Sequence, residues 1–64
     1  MSRTRADWEK YCIEHIKNHG MVFSIWWATD NKFVSNAMDR LVASKRIKVI
    51  PIQYPLSEVI IKEN

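Results

Sequence analysis

An α+β domain of three helices and a small antiparallel sheet, closing in a C-terminal β-hairpin, is what the succession of periodicities in this chain predicts. Three observations carry that reading. Apolar residues recur at helical spacing from Arg5 to about Asn18 and again from about Asp30 to Ser44. A β-branched run, Ile47 to Ile50, follows, and a second one, Glu58 to Lys62, returns after two prolines. A change of period from about 3.6 to 2 marks the passage from helix to strand.

The long second periodic stretch, DNKFVSNAMDRLVASKRI, organises the rest. Phe33, Ala37 and Leu41 recur at i, i+4 and i+8, with Val34 and Met38 beside them, so one apolar stripe points to a core. The other side carries Asn31, Lys32, Ser35, Asn36, Asp39 and Arg40. A purely solvated helix face favours Glu and Lys, which are good helix formers, whereas Asn and Ser are poor ones. Their concentration here makes this side a candidate recognition face; an ordinary exposed face is the plainer alternative.

Length and charge bound the function. The 64 residues form one domain, residues 1–64, with residues 1–4 as a flexible basic arm and no room for a separate effector or catalytic module. At 47% hydrophobic with three tryptophans, the chain can fill a dense core. The net charge of +3 and pI near 9.3 permit an anionic partner without demanding one. Cys12 is the single cysteine, which fits a reducing compartment. No apolar run approaches membrane-spanning length and the start, SRTRADWEK, lacks an apolar signal core, so the expectation is a soluble, cytoplasmic protein without a membrane partner.

Each element has its own justification. Thr4 followed by Asp7 suits a capping box at the start of the first helix, and the acidic Asp7 and Glu9 lie where the helix dipole favours them. Trp8, Cys12 and Ile16 form its buried stripe, widened by Tyr11 and His15 or by Ile13, while Glu9, Lys10, Glu14 and Lys17 mostly face water. Gly20, the only glycine, suits a left-handed position closing that helix. Met21-Val22-Phe23 is a single strand or extended connector. Ser24 caps a short helix, Ile25 to Ala28, whose adjacent Trp26 and Trp27 point about 100° apart. One anchors packing and the other lies at the domain edge. Thr29 or Asp30 caps the long helix. Ser44-Lys45-Arg46 turns into the first hairpin strand, and Pro51 to Ser57 forms the tip.

The order of helix, short strand, short helix, helix and hairpin resembles the winged helix-turn-helix family. Val34 to Ile47, VSNAMDRLVASKRI, is similar to the family's recognition helix and the step into its wing. Val34 and Leu41 match buried positions, Lys45 stands where the family often has glycine, and Ile47 is the first inward residue of the strand. The resemblance implies a small duplex-DNA-binding regulator of transcription or an accessory factor acting by occupancy. Stand-alone winged helices of this size resemble accessory factors of phages and mobile elements, and such a protein would be nucleoid-associated. In that reading the long helix enters the major groove. Asn31, Lys32, Ser35 and Asn36 meet base edges. Arg3, Arg5, Arg40, Lys45, Arg46 and Lys48 hold phosphates, Arg3 and Arg5 as a minor-groove arm.

A second reading starts at the hairpin, whose tip PIQYPLS contains no Lys or Arg. Ile50, Ile52, Tyr54, Leu56 and Ile60 cannot all turn inward, because alternate residues of a strand face opposite sides. The expectation is an exposed apolar patch, with Trp26, Ile52, Tyr54 and Leu56 as the candidate protein interface, serving as a homodimer seam or the docking site of a different protein; the plainer alternative is that the tip folds over the domain and buries itself. Cys12, His15 and His19 share a helix face, and His15-x-x-x-His19 is a metal-chelating spacing, but with no fourth ligand a core cysteine and two surface histidines are the expectation. Asp7, Glu9 and Glu14 sit where capping and solvation put them, and there is no glycine-rich phosphate loop. The expectation is a protein that is not an enzyme and takes no cofactor or metal.

Overall fold

A computed structural model describes residues 3–62. Its elements follow in the order α1 (Arg5–Asn18), β1 (Val22–Ser24), α2 (Ile25–Asp30), α3 (Lys32–Ala43), β2 (Ile47–Pro51) and β3 (Leu56–Ile61). The sheet is antiparallel with β3 in the centre, in the order β1-β3-β2. Val22 pairs with Glu58 and Ser24 with Leu56 on one side; Ile47 pairs with Ile61 and Pro51 with Ser57 on the other. Pro51 thus ends an edge strand, where its missing N–H costs least.

Local chemistry explains the boundaries. Thr4 and Asp7 form the capping box: the Asp7 N–H donates to Thr4 Oγ1 at 3.1 Å and the Thr4 N–H to Asp7 Oδ2 at 3.0 Å. The bond from the Thr4 N–H favours the ionised carboxylate, and Asp7 titrates below its ordinary value for that reason first. α1 ends in a Schellman motif. The Gly20 N–H donates to the Lys17 carbonyl at 3.3 Å and the Met21 N–H to the Ile16 carbonyl at 2.8 Å, with Gly20 at φ 69. α3 ends in the same way without a glycine. Lys45 takes φ 62, its N–H donates to Val42 O and the Arg46 N–H to Leu41 O, both at 3.0 Å.

Two layers meet in one core. Cys12, Ile13 and Ile16 of α1, Val34, Ala37, Met38 and Leu41 of α3, and Phe23, Ile47 and Val59 of the sheet are buried together. Ile13, rather than the Tyr11 side of α1, completes that helix's stripe; Tyr11 is exposed and His15 is half-buried.

Several expectations need correcting. Phe33, placed on the core stripe, is 52% exposed, its ring stacked on Trp8 at the edge of the core rather than buried within it. Glu9, assigned to water, is turned inward onto two arginines. The cap of α3 is neither Thr29 nor Asp30, both of which belong to α2, but Asn31, whose Oδ1 accepts from the Phe33 N–H at 2.8 Å. Pro51, Leu56 and Ser57, expected in the hairpin tip, belong to the strands: Ser24 of β1 pairs with Leu56, and Ser57 pairs with both Phe23 of β1 and Pro51 of β2, which leaves residues 52–55 as the tip. Among the described residues no helix is long and apolar enough to cross a membrane.

Candidate nucleic-acid interface

The exposed edge of α3 and the start of α1 face each other across a cleft of about 590 Å³ lined by Arg3, Arg5, Trp8, Phe33, Asn36, Asp39 and Arg40. It exists because α3 runs along α1 with its buried stripe inward, so residues on the shoulders of the two helices stand opposite one another. Trp8 and Phe33 stack across it with ring centroids 5.4 Å apart and planes 13° from parallel. The Arg3 guanidinium lies over both Trp8 and Tyr11, 4.8 and 4.9 Å from the ring centroids. On the other side Lys32 Nζ sits 5.7 Å from the centroid of Phe33. The described part of the arm is therefore held, Thr4 by the cap and Arg3 by cation–π contact; Met1 and Ser2 lie outside the described residues.

The expected DNA residues divide by what they already do. Lys32 and Asn36 are exposed on the α3 face. Asn31 has its side-chain carbonyl committed to the helix cap, so a bidentate contact to adenine would cost the cap. Ser35 is half-buried and lines a separate groove with Phe23, Ile25, Val42 and Val49. Among the phosphate candidates, Arg3 and Arg5 form no ion pair among the described residues and converge on the cleft. Arg40 and Arg46 do not stand free. Arg40 Nε donates to Glu9 Oε2 at 2.8 Å and Arg46 Nη1 to Glu9 Oε1 at 2.9 Å, while Arg40 Nη2 also reaches the Arg5 carbonyl at 3.4 Å. Lys45 is exposed at the turn. Lys48 is exposed on the outer face of the sheet opposite Ile60, away from the helical layer.

Glu9 is the residue that sequence reasoning missed. One carboxylate joins residues 31 and 37 positions away, tying α1 to the end of α3 and the entry to β2. No local pattern signals a contact of that range. The Trp8–Phe33 stack was missed for the same reason, although Arg3 and Trp8 on successive turns of the chain hint at a cation–π pair.

The candidate protein interface lies elsewhere. Trp26 and Tyr54 are 58% and 74% exposed, and they hold each other: Trp26 Nε1 donates to Tyr54 Oη at 3.3 Å, with the rings edge to face 6.2 Å apart. Ile52, Leu56 and Ile60 are exposed as well. Leu56 and Ile60 alternate with inward Ser57 and Val59, so they occupy the outer face of β3. Trp27 is the anchoring member of the tryptophan pair. It is half-buried, edge to face with Phe23 and stacked on His15 at 3.9 Å, and His15 stacks in turn on His19 at 4.1 Å.

The remaining chemistry is quiet. Burial pushes the Cys12 thiol up to about 11, and its Sγ lies 3.9 Å from the Val34 carbonyl, an inert core cysteine. Among the described residues, no group of three or more His, Cys, Asp or Glu side chains is arranged to hold a metal ion. Comparison of the chain with models of protein families, with curated protein sequences and with solved structures finds no match.

Proposed function

We propose that the chain is a small nucleic-acid-binding domain of the winged-helix kind, which reads duplex DNA with the exposed face of α3 and acts by occupancy. The observation that carries this reading is the convergence of Arg3 and Arg5 with Asn36 in one cleft beside the exposed Lys32. Arginine and lysine supply phosphate attraction; an asparagine amide supplies a paired donor and acceptor for a base edge. The element order on which the winged-helix resemblance rests also supports it. The contact set narrows to Lys32 and Asn36 for bases and to Arg3, Arg5 and Lys45 for phosphates, because Asn31, Arg40 and Arg46 have structural partners. Lys32→Ala combined with Asn36→Ala tests it, since both side chains are exposed and the domain keeps its fold. Specific duplex binding is abolished in the double variant; unchanged affinity sinks the reading.

A second reading is favoured by one observation, the exposed Trp26–Tyr54 pair beside Ile52 and Leu56. Solvated aromatic rings fixed by a mutual hydrogen bond are preorganised for protein contact. Tyr54→Ser with Leu56→Ser breaks self-association or partner capture in this reading. Sedimentation and pull-down unaffected by the pair of changes make the patch a structural feature of the hairpin.

A further inference from the structure

We propose that the cleft between the arm, α1 and α3 is a site for unpaired nucleotides, with bases stacked on Phe33 and Trp8 and phosphates held by Arg3 and Arg5. It rests on the nucleic-acid reading and uses the same cleft residues, Arg3, Arg5 and Asn36, but it assigns the ligand a different conformation, unpaired rather than duplex, and adds the ring faces of Trp8 and Phe33 as contacts.

The flat faces of the rings decide the ligand. Phe33 is 52% exposed although its ring is already stacked on Trp8, so a large aromatic surface stands ready for one more plane. In a duplex the base faces are covered by their neighbours and only edges are offered; ring faces in a cleft therefore serve bases that are unpaired. A cation caps each end of this short stack, Arg3 over Trp8 and Lys32 over Phe33. Both side chains carry long flexible stems, so an incoming base takes the ring face while the displaced cation moves to the adjoining phosphate. Alternation of aromatic surface with positive charge is the arrangement that binds single strands without strong sequence preference.

The polar lining adds a preference. Asp39 and Asn36 stand in the same cleft. A carboxylate only accepts hydrogen bonds, so Asp39 favours an exocyclic amino group over the thymine N3–H, which is flanked by two carbonyl oxygens that repel it. Its charge also repels phosphate, which places the backbone at the Arg3 and Arg5 end. The cleft volume of about 590 Å³ falls in the size range of small-ligand sites.

The test is fluorescence anisotropy at low salt with labelled (dC)12, (dT)12 and a blunt duplex, with deoxycytidine monophosphate as competitor. The wild type binds (dC)12 more tightly than (dT)12. Phe33→Ala lowers (dC)12 affinity roughly ten- to a hundred-fold, the range for removing one stacked base. Gln53→Ala, in the hairpin tip outside the cleft, leaves it unchanged. Displacement by the mononucleotide at comparable concentration identifies a free nucleotide as the ligand of this site; failure to displace identifies a strand. Circular dichroism of Phe33→Ala confirms that the half-exposed ring was removed without unfolding, and Arg3→Ala with Arg5→Ala gives the same loss by a change outside the core. Absence of single-strand binding, or binding indifferent to both sets of changes, overturns the inference. Duplex binding without single-strand binding removes this inference alone; single-strand binding without duplex binding keeps it and removes the duplex reading.

Discussion

Replacing Glu9 by glutamine separates what holds the domain together from what it offers a polyanion. The carboxylate accepts from Arg40 and Arg46 at 2.8 and 2.9 Å and is only 19% exposed. A hydrogen bond to a charged group contributes about 1.5–3 kcal/mol. The arginines are 32% and 49% exposed, so solvent screens much of that. Glutamine keeps one acceptor oxygen but turns an NH2 group toward the second guanidinium. The net loss is about 1–2 kcal/mol, which in a domain of this size lowers Tm by roughly 5–15 °C. Thermal unfolding followed by circular dichroism reads it. The same change removes the negative charge between Arg40 and Arg46 and leaves one of the two guanidiniums without its acceptor, so nucleic-acid affinity at low salt rises while stability falls. Opposite signs in the two assays are the expectation. A Tm within about 2 °C of wild type refutes the claim that Glu9 clamps α1 to α3 and β2.

Other expected outcomes follow from the same geometry. Lys45→Gly stabilises the domain by about 0.5–1 kcal/mol in urea melts, because Lys45 holds φ 62, where a side chain is strained and glycine is not. Gly20→Ala does the reverse by about 1 kcal/mol, although nothing lies within 4 Å of the added methyl, since φ 69 alone sets the cost. His15 titrates below its ordinary 6.5, first because burial beside Trp27 disfavours the charged ring and then because His19 is stacked on it. The folded state thus binds fewer protons than the unfolded one just below pH 6.5, so this contribution to stability is present above 6.5 and lost as pH falls through the window beneath it. Urea midpoints at pH 8 and pH 5.5 measure it, and His15→Gln removes that part of the difference.

Much of the fold was legible because its signals are local. Thr4, Asp7 and Gly20 mark the ends of α1 by chemistry acting over a few residues, and the stripe Val34, Ala37, Met38 and Leu41 names its own buried face. Where local signals compete, the sequence is silent: Thr29, Asp30 and Asn31 are all able to cap, and only the backbone at Asn31 selects it. Phe33 continues the apolar period of α3, yet periodicity does not say how far the core extends along a helix. The adjacency of Trp26 and Trp27 predicted one inside and one outside; packing against Phe23 and His15 chose Trp27. The residues of the candidate site were legible in kind and less so in detail. Lys32, Asn36, Arg3 and Arg5 were visible as exposed polar or basic residues, whereas the withdrawal of Arg40 and Arg46 onto Glu9 depends on a contact between segments remote in the chain.

The most direct measurement of the central claim is a fluorescence-anisotropy titration of the protein against mixed-sequence duplex DNA at 50 and then 200 mM salt. Two to three phosphates, held by Arg3, Arg5 and Lys45, give log K a slope of about −2 to −3 against log salt, and affinity falls roughly fifteen- to sixty-fold between the two conditions. Absence of binding at the lower salt, or binding that does not respond to salt, contradicts the duplex-binding surface and turns attention to the single-strand cleft and to the Trp26–Tyr54 patch.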